Sequence, residues 1–128
     1  MFKLGELLQA LHAQHVRMVV VGGVAATIHG SAHLTRDLDV LAEFSPENMG
    51  NLLKAIGPHR PRFAMGAHAS FPQDAGALVG YRNIYIQTDL GRLDVLGDAP
   101  PLPAYVVLAP RSVHVKAFGV PLQVDLPG

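Results

Sequence analysis

The chain has no cysteine, no net charge and no long uninterrupted apolar run, and each absence removes a class of function. Without cysteine there is neither a disulfide framework nor a thiolate metal site, so a metal would have to be held by His or carboxylate groups. Ten Lys and Arg balance ten Asp and Glu, so the overall charge announces no polyanionic partner, although a local basic face stays open. The longest apolar stretch, Met18 to Ile28, contains two glycines and is far shorter than the roughly 20 residues of a membrane span. The opening stretch MFKLGELLQA lacks the apolar region of a signal peptide. The expectation is a cytoplasmic protein with no membrane partner.

What is present suits a globular fold. A chain of 128 residues with 49% hydrophobic content is enough for one domain around a single core. Leu4, Leu7, Leu8 and Leu11 recur at helical spacing, which predicts an amphipathic helix over Phe2 to His15. The valine-rich run Arg17 to Val21 reads as a buried strand, ended by Gly22 and Gly23 before a helix of small residues from Val24 to His29. After a polar loop, Asp37 to Glu43 alternates like a second strand. Ser45 followed by Pro46 and Glu47 is a helix start, with the helix running to about Ile56.

From Pro58 to Gly80 no period is sustained, and irregular structure is expected. Arg82 to Thr88 alternates again, and the turn Asp89 to Gly91 leads into Arg92 to Leu96, which together predict a hairpin. The tail from Tyr105 to Asp125 suggests two more short strands around Ala117 to Gly119, arranged as an edge ribbon. Helices interleave with strands early and hairpins dominate late. The fold class is therefore α/β (α+β): a mixed sheet with helices mainly on one face.

Asp37 and Asp39 lie two apart on a predicted strand, so both carboxylates project from the same face and can reach one ion or a pair of ions. Spacing alone is weak, because ten acids in this length give roughly one such pair by chance, and an ordinary solvent-facing strand would look the same. Aspartate is disfavoured in strands, however, and two on one face repel unless a cation lies between them. Upstream, the glycine pair in VVVGG turns a buried strand into a helix, a geometry that exposes backbone N–H groups to an anion; a tight turn with close helix packing explains the glycines equally well. Downstream, Asp94 stands in RLDVLG with Arg92 and Leu96 on its own face. It is a candidate third ligand, or a plain surface acid.

The order of these pieces carries a resemblance: strand, Gly-Gly, a small helix ending His-Gly, then Thr-x-Asp-Leu-Asp-Val, and much later Leu-Asp-Val on a strand. It resembles the nucleotidyltransferase superfamily, and VVVGGVAATIHGSAHLTRDLDVL resembles in particular the AbiEii-like group, whose members include toxins of toxin–antitoxin pairs. The similarity covers Val19 to Glu43 and returns at Arg92 to Leu96.

The resemblance implies a nucleotidyltransferase-like sheet on which Asp37, Asp39 and Asp94 are both the catalytic and the metal-binding residues, holding two Mg²⁺ ions or Mn²⁺ in their place. Gly22 and Gly23 would form the turn that holds the triphosphate. Thr35 lies near the Ser that many members carry just before the first Asp, and Arg36 occupies the position directly before it, so both are expected beside the nucleotide. The implied activity is transfer of NMP from a nucleoside triphosphate to an acceptor hydroxyl on RNA, protein or a small molecule. The chemistry suits the residues, since Mg²⁺ takes hard oxygen ligands and neutralises phosphate charge during in-line displacement.

His29, at the end of the small helix, suits the helix dipole and is a weaker candidate for nucleotide contact. His33 and Arg92 are further candidates for lining the cleft. Family members commonly continue into a helical segment, so the expectation is either a minimal version or a cleft completed by a missing C-terminal segment or a partner subunit; a cognate antitoxin, a second subunit and a homodimer are the candidate partners. The rival readings are a catalytically silent nucleotide-binding or interaction module, and a phosphohydrolase using the same acids on water.

Overall fold

The computed structural model describes residues 2–32, 34–65 and 70–127. The first helix, α1, spans Leu4–Ala13 and buries Leu7, Leu8 and Leu11 on one stripe. It is shorter than its apolar period predicts, because Gln14 caps it and His15 takes a positive φ of 57°. Strand β1, Met18–Val21, is buried along its whole length, as four consecutive apolar residues require. Helix α2, Gly22–Ile28, begins at the first glycine and not at Val24. The physical reason is Gly22 itself: its φ of +68° lets the chain leave an extended Val21 and enter the helix within one residue.

Strand β2, Asp37–Ala42, stops one residue before the expected Glu43, whose carboxylate turns aside to pair with Arg17 at 2.9 Å. Helix α3, Pro46–Ile56, starts where its signals place it, with the Ser45 hydroxyl accepting the Asn48 N–H at 3.2 Å. Asn48 is fully buried; its side chain accepts the Arg17 N–H at 2.7 Å and donates to the carbonyls of Arg17 and Glu43 at 2.9 and 2.8 Å. One amide thus ties the start of β1 and the end of β2 to α3.

The stretch expected to be irregular contains β3, Arg62–Phe63, and α4, Ala75–Val79. Both are too short to leave a period in the sequence. Tertiary contacts hold them: the Phe63 ring lies 5.0 Å from Phe71 and 6.0 Å from Tyr81. The hairpin forms as read, from β4, Asn83–Thr88, and β5, Gly91–Leu96. A short helix that the periodicity does not announce, α5, spans Tyr105–Leu108, and the tail strands are β6, Val113–Ala117, and β7, Val120–Val124.

All seven strands join one sheet in the order β3-β4-β5-β2-β1-β7-β6. The β2–β5 and β1–β7 pairs are parallel and the others antiparallel, so the mixed α/β class is as expected. The tail ribbon is only half an edge, since β7 enters the sheet beside β1 and leaves β6 outermost.

The two faces differ. The main core joins Val20, Leu38, Val40, Ile84, Ile86, Leu93 and Val95 to side chains from α1, α2, α3 and α4. On the other face a smaller cluster of Val19, Val21, Leu41 and Leu108 packs under α5. That cover lies over β1 and the end of β2, and the face of β4, β5 and the start of β2 carries polar residues. Among the described residues no helix is long and apolar enough to cross a membrane.

Candidate active site

Register decides which side chains meet. In the parallel β2–β5 pair Asp39 stands opposite Asp94 and Asp37 opposite Arg92. Across β4–β5, Tyr85 faces Asp94 and Gln87 faces Arg92. Side chains paired in this way project from one face of a sheet, with strands roughly 4.8 Å apart. Asp37, Asp39 and Asp94 therefore share the face opposite the main core, while Leu38, Val40, Leu93 and Val95 between them point into that core. The sequence-predicted acids are brought together.

The electrostatics record how close they are. The Asp39 carboxyl is pushed up to about 6, first by burial, then by the charges of Asp94 and Asp37 and by a hydrogen bond with Asp94; Arg92 pulls the other way. The Arg92 Nε donates to Asp94 Oδ1 at 2.9 Å, and the guanidinium lies 5.9 Å from the Tyr85 ring centroid. The Arg92 pKa is raised by its hydrogen bond to Asp94 above all, and also by the charges of Asp94, Asp37 and Asp39, against the opposing effect of burial.

Gly22 completes the inner wall. A Cβ built on it would lie 2.5 Å from Asp39 Oδ2, so the turn approaches the carboxylate more closely than any other residue type allows, in addition to its positive φ. At Gly23 a Cβ would meet Thr35 Oγ1 at 2.9 Å. The Thr35 hydroxyl donates to the Asp37 carbonyl at 3.0 Å, and this bond together with the packing on Gly23 sets the entry of the chain into β2. The glycine pair thus serves as the tight turn with close packing that was one of the two uses open to it in the sequence.

A cavity of about 450 Å³ opens beside the acids, lined by Phe2, Arg36, Asp37, Gln87, Gly91 and Arg92. Arg36 therefore reaches the same opening as Asp37. Phe2, Tyr85 and Gln87 were not singled out in the sequence, although the alternation of β4 placed Tyr85 and Gln87 on the polar face. His29 is engaged elsewhere: its Nε2 donates to the Asp125 carbonyl at 2.6 Å, tying the end of α2 to the residue after β7, beside a second cavity of about 420 Å³. His33 lies outside the described residues.

The residues fit a divalent cation in chemistry and charge. Three hard oxygen donors share a face, and the charges of Asp94 and Asp37 add to burial in raising the Asp39 carboxyl, a repulsion that a cation would offset. As they stand, the acids do not close on one point: among the described residues no three His, Cys, Asp or Glu groups are placed to hold an ion together. Arg92 engages Asp94 instead. No protein-family model matches the chain, and neither a curated protein nor a solved structure matches it.

Proposed function

We propose that this protein is a metal-dependent nucleotidyltransferase, acting in the cytoplasm to move NMP from a nucleoside triphosphate to an acceptor hydroxyl on RNA, protein or a small molecule. The observation that carries the reading is the register of β2 against β5, which sets Asp39 beside Asp94 and Asp37 beside Arg92 on the open face. Clustering acids on a partly buried strand face raises the free energy of the bare protein, as the Asp39 shift records, and a bound cation relieves it.

Asp37, Asp39 and Asp94 would hold Mg²⁺ or Mn²⁺. Bound there, the cation supplies neutralisation of phosphate charge and a lower barrier to ionising the acceptor hydroxyl. The chain's own part is positional. The start of α2 offers Gly22 and Gly23 backbone N–H groups, which have no intrahelical partner, to the β- and γ-phosphates. Arg36, on the wall of the 450 Å³ cavity, meets phosphate oxygens by its guanidinium fork. Asp94, on β5 opposite Asp39, accepts the proton or orients the acceptor hydroxyl for attack on the α-phosphorus, and pyrophosphate departs toward the glycine turn.

The test uses the full chain with α-³²P-labelled NTPs, Mg²⁺ or Mn²⁺, and cell extract fractionated into RNA, protein and small molecules. The expected result is label in one fraction, absent with Asp39→Asn. The Arg92–Asp94 bridge favours a second reading, a silent nucleotide-binding module. Metal-dependent NTP binding by calorimetry with no labelled fraction and no pyrophosphate would select it, and no NTP binding at all would end both.

A further inference from the structure

We propose that Arg92 is an internal counterion that neutralises Asp94 until nucleotide phosphates take its guanidinium, so that metal and nucleotide bind this face together rather than singly. The inference rests on the nucleotidyltransferase reading above. Its support is geometric.

Arg92 and Asp94 sit two apart on β5, on one face, and among the described residues the guanidinium donates to Asp94 alone: Nε to Oδ1 at 2.9 Å, with side chains 28% and 13% exposed. Engagement through Nε leaves the two terminal amino groups of the fork for another acceptor, and a guanidinium prefers the paired oxygens of a phosphate. The wall of the 450 Å³ cavity includes Arg92, Arg36 and Asp37 and does not include Asp94. A polyphosphate entering that space therefore meets two guanidinium groups before it meets the acid on β5. The Tyr85 ring, 5.9 Å from the guanidinium carbon, gives the side chain a flat surface along which to move.

Charge explains why the exchange would couple the two ligands. Three acids and Arg92 leave two negative charges at the face, and withdrawal of the guanidinium toward phosphate leaves three. The cation affinity of the face rises when Arg92 departs. Linkage then requires that metal strengthen nucleotide binding by the same factor.

The experiment measures Mn²⁺ binding to the full chain by electron paramagnetic resonance, with and without an ATP analogue carrying a methylene group between its α- and β-phosphates. In the wild type, bare Mn²⁺ binds weakly and the analogue tightens it. Arg92→Gln is expected to bind bare Mn²⁺ at least about fivefold tighter and to lose most of the coupling. Arg92→Lys keeps the charge without the fork, so bare Mn²⁺ stays weak while the coupling falls; it carries the test should the Gln variant melt below the assay temperature. If the analogue binds, and both variants keep wild-type bare-metal affinity and coupling, Arg92 is a structural residue and the inference is overturned while the transferase reading stands. If the analogue binds no variant at any Mn²⁺ concentration, both fall.

Discussion

Leu93 and Asp94 are neighbours on β5 and belong to different parts of the protein. Leu93 is fully buried under the helices, paired with Leu38 and Ile86, and belongs to the main core. Asp94 stands on the other face among Asp39, Tyr85 and Arg92. The strand's period of two separates what holds the sheet together from what the sheet presents. A face stabilised by apolar burial leaves the opposite one free to collect like charges that would be unfavourable on a sheet with no other support.

Adjacent substitutions should divide accordingly. Asp94→Asn is expected to lower the proposed nucleotidyl transfer at least about 100-fold, while urea melts stay within about 1 kcal/mol of wild type, because the pair it breaks is partly solvated. Leu93→Ala should do the reverse in kind, costing about 2–5 kcal/mol in the same melts, with any surviving folded fraction keeping the proposed metal-dependent nucleotide binding. Equal stability losses for the two would erase the distinction between the faces.

Gly22→Ala tests the point where the faces meet. The new Cβ would lie 2.5 Å from Asp39 Oδ2 and the residue would have to keep a φ of +68°, so a loss of about 1–2 kcal/mol is expected together with a weakened response to Mn²⁺. A variant as stable as wild type with unchanged metal response would show that the glycine approach to Asp39 is dispensable.

A pH dependence confined to the open face sharpens the comparison further. Asp39 titrates near 6 in the folded protein, pushed up by burial first and by Asp94 and Asp37 next, against an ordinary value of 3.8. The folded state therefore binds this proton more tightly than the unfolded chain, and the stabilisation is complete below about pH 4 and lost as pH rises through about 6. The melting temperature of wild type, relative to Asp39→Asn, should fall across that window, and saturating Mg²⁺ should reduce the fall by taking the proton's place. A difference between the two proteins that stays flat from pH 4 to about 7 would contradict the clustering of the acids.

Local signals made much of this legible in the sequence. The leucine spacing of α1, the Ser45-Pro46 start of α3 and the alternation of β4 and β5 are short-range patterns, and the structure keeps each within a few residues. β3, α4 and α5 were not legible, because elements of two, five and four residues carry too few side chains to show a period and are held by distant partners. The polar face of β5 was visible in the alternation, and so were Asp37 and Asp39 as a pair. The bond from Arg92 to Asp94 was not, since an arginine two residues from an aspartate is read as a surface charge until its neighbours are known.

The alternation of the strands by itself determined that Asp37 and Asp39 share a face, and that Arg92 and Asp94 share another stretch of one, because side chains of a strand reverse direction at every residue. Only the tertiary structure decided that these are the same face of the same sheet, with Asp39 opposite Asp94. Strand order and register come from how the apolar sides of β2 and β5 pack together beneath the helices, and the residues between the two strands hold no record of that choice.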